Sequence, residues 1–265
     1  MRLLLLLLLV VAVACACVPR NSSDAAQPSL GREAGARSAL APPANTAPTA
    51  AANQPSEPEL TSKPRLRADV VVTGGVHGNE PSGNDVLPQL AEAGFVTFGP
   101  CNPWGIRNNQ RHLEDGLDLN RLFSDAKCPE VAAVHTFLAD HKPGLLLDLH
   151  EDPDGTNPYL IQSGPEDDLG RRILDRLKGE YEFEAEPRWA MLRGKDGLLQ
   201  PTRQVLGLQR LSGVYSLAYY AWLTYGCTAI TVECPGSWPA EKRRAWQVRV
   251  CTLAREIFSE LHPPE

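Results

Sequence analysis

The run GLLLDLH, residues 144–150, is the feature that most constrains how this chain can fold. It is almost continuously apolar, which is typical of a β-strand that is covered on both faces. Residues 68–73 and the run CTAITVE, residues 227–233, have the same character, and helical patterns lie between them. This alternation indicates an α/β fold with a mainly parallel mixed sheet and helices on both faces.

The remaining predicted elements lie between and after these strands. Short strands are predicted over residues 95–98 and 158–162, and residues 184–213 are predicted to be irregular. A proline suits the first turn of a helix, and several helical patterns begin at or near one. The predicted helices cover residues 81–93, 129–142, 165–178, 215–225 and 238–261.

The amino-terminal part of the chain has a different composition from the rest. Residues 1–16 combine one positive charge, a polyleucine run and small residues, which is typical of a secretory signal peptide; the alternative is an uncleaved membrane anchor. Cys15, or its rival Cys17, would be the lipid-bearing residue if the segment is a lipoprotein signal. Residues 17–63 are rich in Ala and Pro and are predicted to be a disordered tether. We therefore expect an exported protein of the bacterial cell envelope, with its folded domain at residues 64–265.

Charge and cysteine content narrow the class of protein further. The net charge is -6, which argues against nucleic acid as a partner. The folded part has an odd number of cysteines and no CxxC spacing, so the sequence assigns no disulfide pair and leaves at least one thiol free or buried. These cysteines are Cys101, Cys128, Cys227, Cys234 and Cys251.

Potential metal ligands follow three of the predicted strands. His77, His150 and Glu233 lie at the carboxyl ends of strands, and Glu80 lies three residues after His77. Ligands bind at this edge of an open α/β sheet. Two histidines and one carboxylate, with one position left open for water, form a catalytic zinc set, and a fourth acidic group nearby can act as general base. The alternative is a chance HxxE pattern with hydrogen-bonded histidines; the HExxH and GxSxG motifs are absent.

A long polar loop, residues 102–123, adds a second group of candidates. Three arginines in it, Arg107, Arg111 and Arg121, can clamp a carboxylate or polarise a carbonyl, because guanidinium groups offer paired donors. The other histidines, His112, His135 and His141, are weaker candidates.

The segments GGVHGNE, NPWG, NNQR, GLDLNRLF, LLLDLH and ITVECPG occur in this order and together resemble the zinc carboxypeptidase superfamily. The resemblance implies one Zn²⁺ per chain, a general base that activates the zinc-bound water, an arginine that stabilises the oxyanion, and a pair that receives the substrate's terminal carboxylate. The implied zinc ligands are His77, Glu80 and His150, and the implied general base is Glu233. Arg111 is the implied oxyanion arginine, and Asn120 and Arg121 are the pair that would receive the carboxylate. The superfamily's active-site tyrosine has three possible counterparts, Tyr215, Tyr219 and Tyr220.

The resemblance implies a zinc-dependent metallohydrolase that cleaves an amide bond next to a carboxylate. Murein peptide amidases have a similar arginine loop, and the succinylglutamate desuccinylase/aspartoacylase branch shares the HGNE and DLNR segments. The expected export favours a peptide or peptidoglycan-fragment substrate. The alternatives are an N-acyl amino acid deacylase of the succinylglutamate desuccinylase/aspartoacylase type and an inactive peptide-binding protein of the envelope. The acids Glu151, Asp152 and Asp154 suggest a substrate that bears an amine, unless they form only a solvated turn.

Overall fold

A six-stranded sheet forms the centre of the computed structural model, which describes residues 69–190 and 192–263. In chain order, the strands are β1 Val70–Gly74, β2 Val96–Phe98, β3 Leu145–Asp152, β4 Tyr159–Ser163, β5 Arg188–Trp189, β6 Leu192–Arg193, β7 Leu198–Leu199 and β8 Thr228–Pro235. The order across the sheet is β2-β1-β3-β8-β4-β7, and β5 and β6 form a separate antiparallel pair.

Most neighbouring strands of the sheet are parallel, as predicted. The strands β2, β1, β3 and β8 all run in one direction, while β4 is antiparallel to β8 and parallel to β7. The carboxyl ends of β1, β3 and β8 therefore lie at the same edge of the sheet. The register places His150 of β3 opposite Glu233 of β8, and Glu233 opposite Tyr159 of β4.

Helices cover both faces of the sheet, which also confirms the prediction. They are α1 Pro81–Asp85, α2 Leu87–Glu92, α3 Pro103–Asn108, α4 Pro129–His141, α5 Leu169–Leu177, α6 Arg203–Ser212, α7 Leu217–Tyr225 and α8 Ala240–Leu261, with a 3₁₀ helix at Leu119–Arg121. Alternate residues of β3 enter two different hydrophobic clusters: Leu145 and Leu147 pack with α5 and α8, and Leu146 packs with α4 and α7. Burial on both faces explains why this strand is a continuous apolar run.

Two local predictions are wrong. Residues 81–93 form two helices, which meet at Val86, instead of one. Pro88 explains the break, because it has no N–H to donate to the preceding turn and its ring clashes with that turn.

The second correction concerns residues 184–213, which are not irregular throughout. They contain three short strands and the helix α6. The side chain of Thr202 accepts a hydrogen bond from Val205 N at the start of α6, and Gly213, with a φ of +67°, ends it. Both are ordinary helix-boundary signals that the sequence contains.

The predicted signal peptide at residues 1–16 and tether at residues 17–63 lie outside the described residues. Within residues 69–190 and 192–263, no helix is long and apolar enough to cross a membrane. All five cysteines of this part are free thiols, and four of them are buried.

Candidate metal centre

Two of the candidate ligands lie in the loop that follows β1. His77 and Glu80 are both buried, and Glu80 immediately precedes α1. The backbone leaves β1 through Gly75, whose φ of +71° favours glycine. A Cβ atom at Gly78 would lie 1.9 Å from the carbonyl carbon of Gly105, so the loop packs directly against α3. Glycines thus shape the turn that presents His77 and Glu80 at the sheet edge.

The third candidate ligand, His150, is a buried residue of β3 and lies beside this turn. Nδ1 of His77 lies 2.7 Å from Oε1 of Glu80, and Nδ1 of His150 lies 2.8 Å from Oε2 of the same carboxylate. One ligand atom from each of the three residues lies within 4.8 Å of the other two. Both imidazole rings therefore turn the same nitrogen towards a single carboxylate.

The outer nitrogen of each ring is held by another carboxylate. Nε2 of His77 lies 3.1 Å from Oδ1 of Asp118, and Nε2 of His150 lies 3.0 Å from Oδ2 of Asp148. Oδ1 of Asp148 in turn accepts a hydrogen bond of 2.8 Å from the Thr73 hydroxyl. A carboxylate that accepts the Nε2–H bond fixes the ring orientation and leaves Nδ1 free to coordinate a metal. Sequence reasoning missed both aspartates, although Asp148 is two residues before His150 and so lies on the same face of β3.

The electrostatics of the cluster follow from its burial and its neighbours. Burial would raise the pKa of Glu80, but the charges of His77 and His150 and their hydrogen bonds outweigh it and hold that pKa well below its usual range. Burial would lower the pKa of His150, but Asp148 and Glu80 raise it well above its usual value. The site therefore keeps a buried carboxylate ionised, which suits a cation.

Two imidazole nitrogens and one carboxylate are the protein ligands of catalytic zinc sites, in which a fourth position stays open. The carboxylates behind both histidines are the usual supporting groups of such ligands. His77, Glu80 and His150 thus fit a metal ion both in donor type and in the support of their rings.

Glu233 lies in β8 next to this cluster and is partly buried. Burial, together with the negative charges of Glu80, Asp152 and Asp148, raises its pKa to about 8, although His150 opposes the shift. A carboxyl group with a raised pKa can take up a proton near neutral pH. Glu233 therefore lies where a general base is needed, and a metal cation at the ligand cluster would favour its ionised, proton-accepting form.

The arginine loop forms one wall of the main cavity, which has a volume of about 410 Å³ and contains the three ligands and Glu233. Arg111, Asn120 and Arg121 all line it, whereas Arg107 does not and is exposed. Arg111 donates to Oε1 of Glu80 at 3.0 Å and to Oδ2 of Asp118 at 3.2 Å. Asn120 accepts a hydrogen bond of 2.9 Å from Leu217 N, which leaves its amide nitrogen available to a substrate.

The acidic residues at the end of β3 and just after it do not act together as the sequence suggested. Glu151 is buried, accepts a hydrogen bond of 2.7 Å from Ser82 N and pairs with Arg243, so it is not available to bind a substrate amine. Asp152 lines the main cavity and accepts a hydrogen bond of 2.9 Å from the Tyr159 hydroxyl. Asp154 lines the cavity and is exposed.

Among the tyrosines, Tyr219 lines the main cavity, and its hydroxyl donates to the carbonyl of Leu206 at 2.8 Å. Tyr159, which the sequence did not suggest, also lines it and pairs in register with Glu233. No sequence signal marked Tyr159, because only the antiparallel placement of β4 brings it to the site.

The weaker histidine candidates stay outside the metal cluster. Nε2 of His135 lies 3.1 Å from the carbonyl oxygen of Phe123, and its ring stacks on Tyr220 at a centroid distance of 3.9 Å. The ring of His141 packs against Phe137. Both histidines lie on α4, make structural contacts there and do not belong to the metal cluster.

The sequence of residues 67–195 matches the family model described as the succinylglutamate desuccinylase/aspartoacylase catalytic domain. This span contains the three candidate ligands and the arginine loop, and Glu233 lies beyond it. No protein of curated function matches the chain.

Solved structures share the fold at low sequence identity. A candidate metallopeptidase from Shewanella baltica aligns with a TM-score of 0.59 and 17% identity over 75% of this chain and 79% of that one. A metallo-carboxypeptidase from Burkholderia cenocepacia aligns with a TM-score of 0.51 and 18% identity over 73% of this chain and 57% of that one. A metallo-carboxypeptidase from Pseudomonas aeruginosa, in complex with (2-guanidinoethylmercapto)succinic acid, aligns with a TM-score of 0.50 and 20% identity over 76% and 60%. These similarities concern the fold.

Proposed function

We propose that this chain is a zinc-dependent amide hydrolase of the zinc carboxypeptidase superfamily, because residues 67–195 match the succinylglutamate desuccinylase/aspartoacylase catalytic-domain model and the fold is shared with a metallopeptidase structure. It cleaves an amide bond next to a substrate carboxylate. One observation carries this proposal: His77 and His150 both direct Nδ1 to Glu80, and Glu233 lies on the neighbouring strand. A site that only stabilised the fold would not need a partly buried carboxyl group of raised pKa beside two such histidines.

His77, Glu80 and His150 would hold the zinc ion, which supplies Lewis acidity and lowers the pKa of a bound water. The carboxylate of Glu233 takes the proton from the attacking water and later transfers it to the nitrogen of the leaving amine. Arg111 lies at the edge of the ligand cluster with 34% of its side chain exposed, where its guanidinium can stabilise the oxyanion of the transition state. Asp118 and Asp148 keep both ligand rings in position throughout.

The substrate carboxylate binds to Asn120 and Arg121, which line the main cavity together with Arg111. Arg121 donates one hydrogen bond of 2.9 Å to the carbonyl of Asn120, which holds its side chain near that residue. A fixed carboxylate places the neighbouring amide bond over the ligand cluster, and this orientation contributes to the rate. The succinic acid derivative bound to the Pseudomonas aeruginosa carboxypeptidase supports a carboxylate-bearing ligand for this fold.

The scissile amide belongs either to a peptide or to an N-acyl amino acid. We propose a carboxypeptidase or a murein peptide amidase that acts in the cell envelope on a peptide or a peptidoglycan fragment. The basis for the location is the predicted signal peptide, with Cys15 or Cys17 as the possible point of lipid attachment. An N-acyl amino acid deacylase is the second candidate, because the family model that matches residues 67–195 has this activity in its description.

The direct test is turnover by the purified, zinc-loaded protein on a panel of N-acetylated dipeptides and N-acyl amino acids. Peptide hydrolysis that is lost in Glu233→Gln and after chelation would support the proposal. If only the N-acyl amino acids are cleaved, the deacylase is the correct branch. If carboxylate-bearing peptides bind but the zinc-loaded protein cleaves no member of the panel, the chain is a binding protein and the proposal fails.

A further inference from the structure

The strand β3 carries a charged residue where its pattern predicts an apolar one. Leu145, Leu147 and Leu149 point to the face of the sheet that packs against α8. Glu151 is the next residue in this series, because the side chains of a strand alternate between the two faces. Only 3% of Glu151 is exposed. A buried carboxylate costs free energy unless it is paired, so its place in this apolar series requires partners.

Glu151 holds the candidate ligand Glu80 through two separate contacts. Its backbone N–H donates to Oε2 of Glu80 at 3.1 Å, the same oxygen that lies 2.8 Å from Nδ1 of His150. Its side-chain Oε1 accepts a hydrogen bond of 2.7 Å from the backbone N of Ser82, two residues after Glu80. Glu151 therefore fixes both the carboxylate of this ligand and the start of α1 behind it.

The other carboxylate oxygen of Glu151 pairs with Arg243 of α8. Nη1 of Arg243 donates to this oxygen and, at 3.2 Å, to the carbonyl of Gly236, so the guanidinium is held between β3 and the loop after β8. Without the guanidinium, Glu151 would be a buried carboxylate with no charge partner. It would have to move towards water, and its contacts with Glu80 and Ser82 would move with it.

A second polar residue of α8 contacts the other ligand that lies beside Glu80. Gln247 follows Arg243 by four residues and so lies on the same face of the helix. Gln247 is fully buried, and its Nε2 donates to the carbonyl oxygen of His150 at 2.8 Å. The two side chains of α8 thus contact consecutive residues of β3, the candidate ligand His150 and Glu151.

We propose that Arg243 and Gln247 are positioning residues of the metal centre. Arg243 orients Glu80 through Glu151, and Gln247 orients His150 through its carbonyl group. This inference rests on the metal centre of the proposed function and refines it. Both residues lie beyond residues 67–195, which match the family model. A set of ligands that is already in position binds a metal more tightly, because less free energy goes into ordering it.

The zinc dissociation constant tests this inference without any turnover. Arg243→Met keeps the length of the side chain but removes its charge and its donors. It should raise the dissociation constant about 10- to 100-fold, which is typical when a group that supports a ligand is lost. Arg243→Lys keeps the charge and should bind zinc more tightly than Arg243→Met does. Gln247→Met, which changes no charge, should also weaken zinc binding.

A double-variant comparison shows whether Arg243 acts through Glu151. In Glu151→Gln the side chain can still accept from Ser82 N, but no buried charge needs a partner. Arg243→Met should therefore weaken zinc binding much less in the Glu151→Gln background than in the wild type. An equal loss of affinity in the two backgrounds would overturn the inference.

Val250→Ala is the matched control, because Val250 is a fully buried core residue of the same helix. It should lower the midpoint of thermal unfolding and leave the zinc dissociation constant of the folded protein unchanged. The visible absorption spectrum of the cobalt-loaded protein reports the geometry of the ligands. This spectrum should change in Arg243→Met and Gln247→Met and should not change in Val250→Ala.

Folded Arg243→Met and Gln247→Met proteins with the zinc affinity and cobalt spectrum of the wild type would overturn the inference, while the metal centre stands. If Arg243→Met does not fold, the comparison of Gln247→Met with Val250→Ala decides alone. A wild-type protein that binds no zinc would refute the metal centre and with it the proposed function. The expected zinc affinities in a protein that hydrolyses no amide would refute the proposed function and support this inference.

Discussion

Asp148 provides the sharpest test of the metal centre, because it is fully buried and touches the ligand His150 without being a ligand itself. Asparagine in its place can keep both hydrogen bonds. Its carbonyl oxygen would accept from Nε2 of His150, and its amide nitrogen would donate to the Thr73 hydroxyl. Asp148→Asn therefore removes the negative charge behind His150 and leaves the shape of β3 unchanged.

The expected size of the effect follows from this contact. A carboxylate makes a hydrogen bond about twice as strong as a neutral acceptor does, and it increases the basicity of the imidazole. Loss of such a supporting carboxylate typically weakens metal affinity by about 10- to 100-fold. This corresponds to about 1.4 to 2.8 kcal/mol of metal-binding free energy.

Competition with a chromophoric chelator at constant pH measures the zinc dissociation constant of the wild type and of Asp148→Asn. Asp85→Asn is a matched control, since Asp85 is an exposed residue of α1 whose carboxylate pairs with Arg244 at 3.5 Å. Thermal unfolding of the metal-free proteins verifies the fold. An Asp148→Asn protein that is folded and binds zinc as tightly as the wild type would refute the assigned role of His150 and its aspartate.

Four further predictions concern the neighbouring groups. Glu233→Gln should lower kcat by about 10²- to 10⁴-fold with zinc retained, as measured by steady-state kinetics and metal analysis; undiminished turnover would exclude it as the base. In the metal-free protein, the pKa of Glu233 is about 8, above its unfolded value of 4.5, so its stabilising contribution is complete below pH 4.5 and is lost as the pH rises through 8. Urea unfolding should show stability falling over this range, and Glu233→Gln should flatten the fall; an identical slope would contradict the raised pKa. Arg121→Lys should lower kcat/KM at least about tenfold for substrates with a free carboxylate but not for their amides, and Arg107→Lys should not; equal effects of the two variants would place the carboxylate elsewhere. Alkylation of the native protein should label Cys128 before the four buried thiols, and rapid labelling of all five would contradict their burial.

The sheet and the ligand cluster were largely predictable because they depend on local patterns. Apolar runs marked β1, β3 and β8, and parallel strands necessarily bring their carboxyl ends to one edge. The contacts that complete the site connect elements far apart in the chain. Arg243 reaches Glu151 across 92 residues, and His77 meets Asp118 across 41, so no periodicity indicated either pair. Tyr159 reaches the site because β4 runs antiparallel to β8, and the short sequence of β4 does not indicate that direction.

Metal content tests the central claim most directly. The purified protein, saturated with zinc and freed of excess, should contain about one zinc per chain by mass spectrometry under native conditions and by elemental analysis. His150→Ala should lose the metal, whereas His141→Ala, on α4 away from the cluster, should retain it. A wild-type protein that binds no zinc, or a His150→Ala protein that still holds one equivalent, would contradict the assignment of His77, Glu80 and His150 as the metal centre.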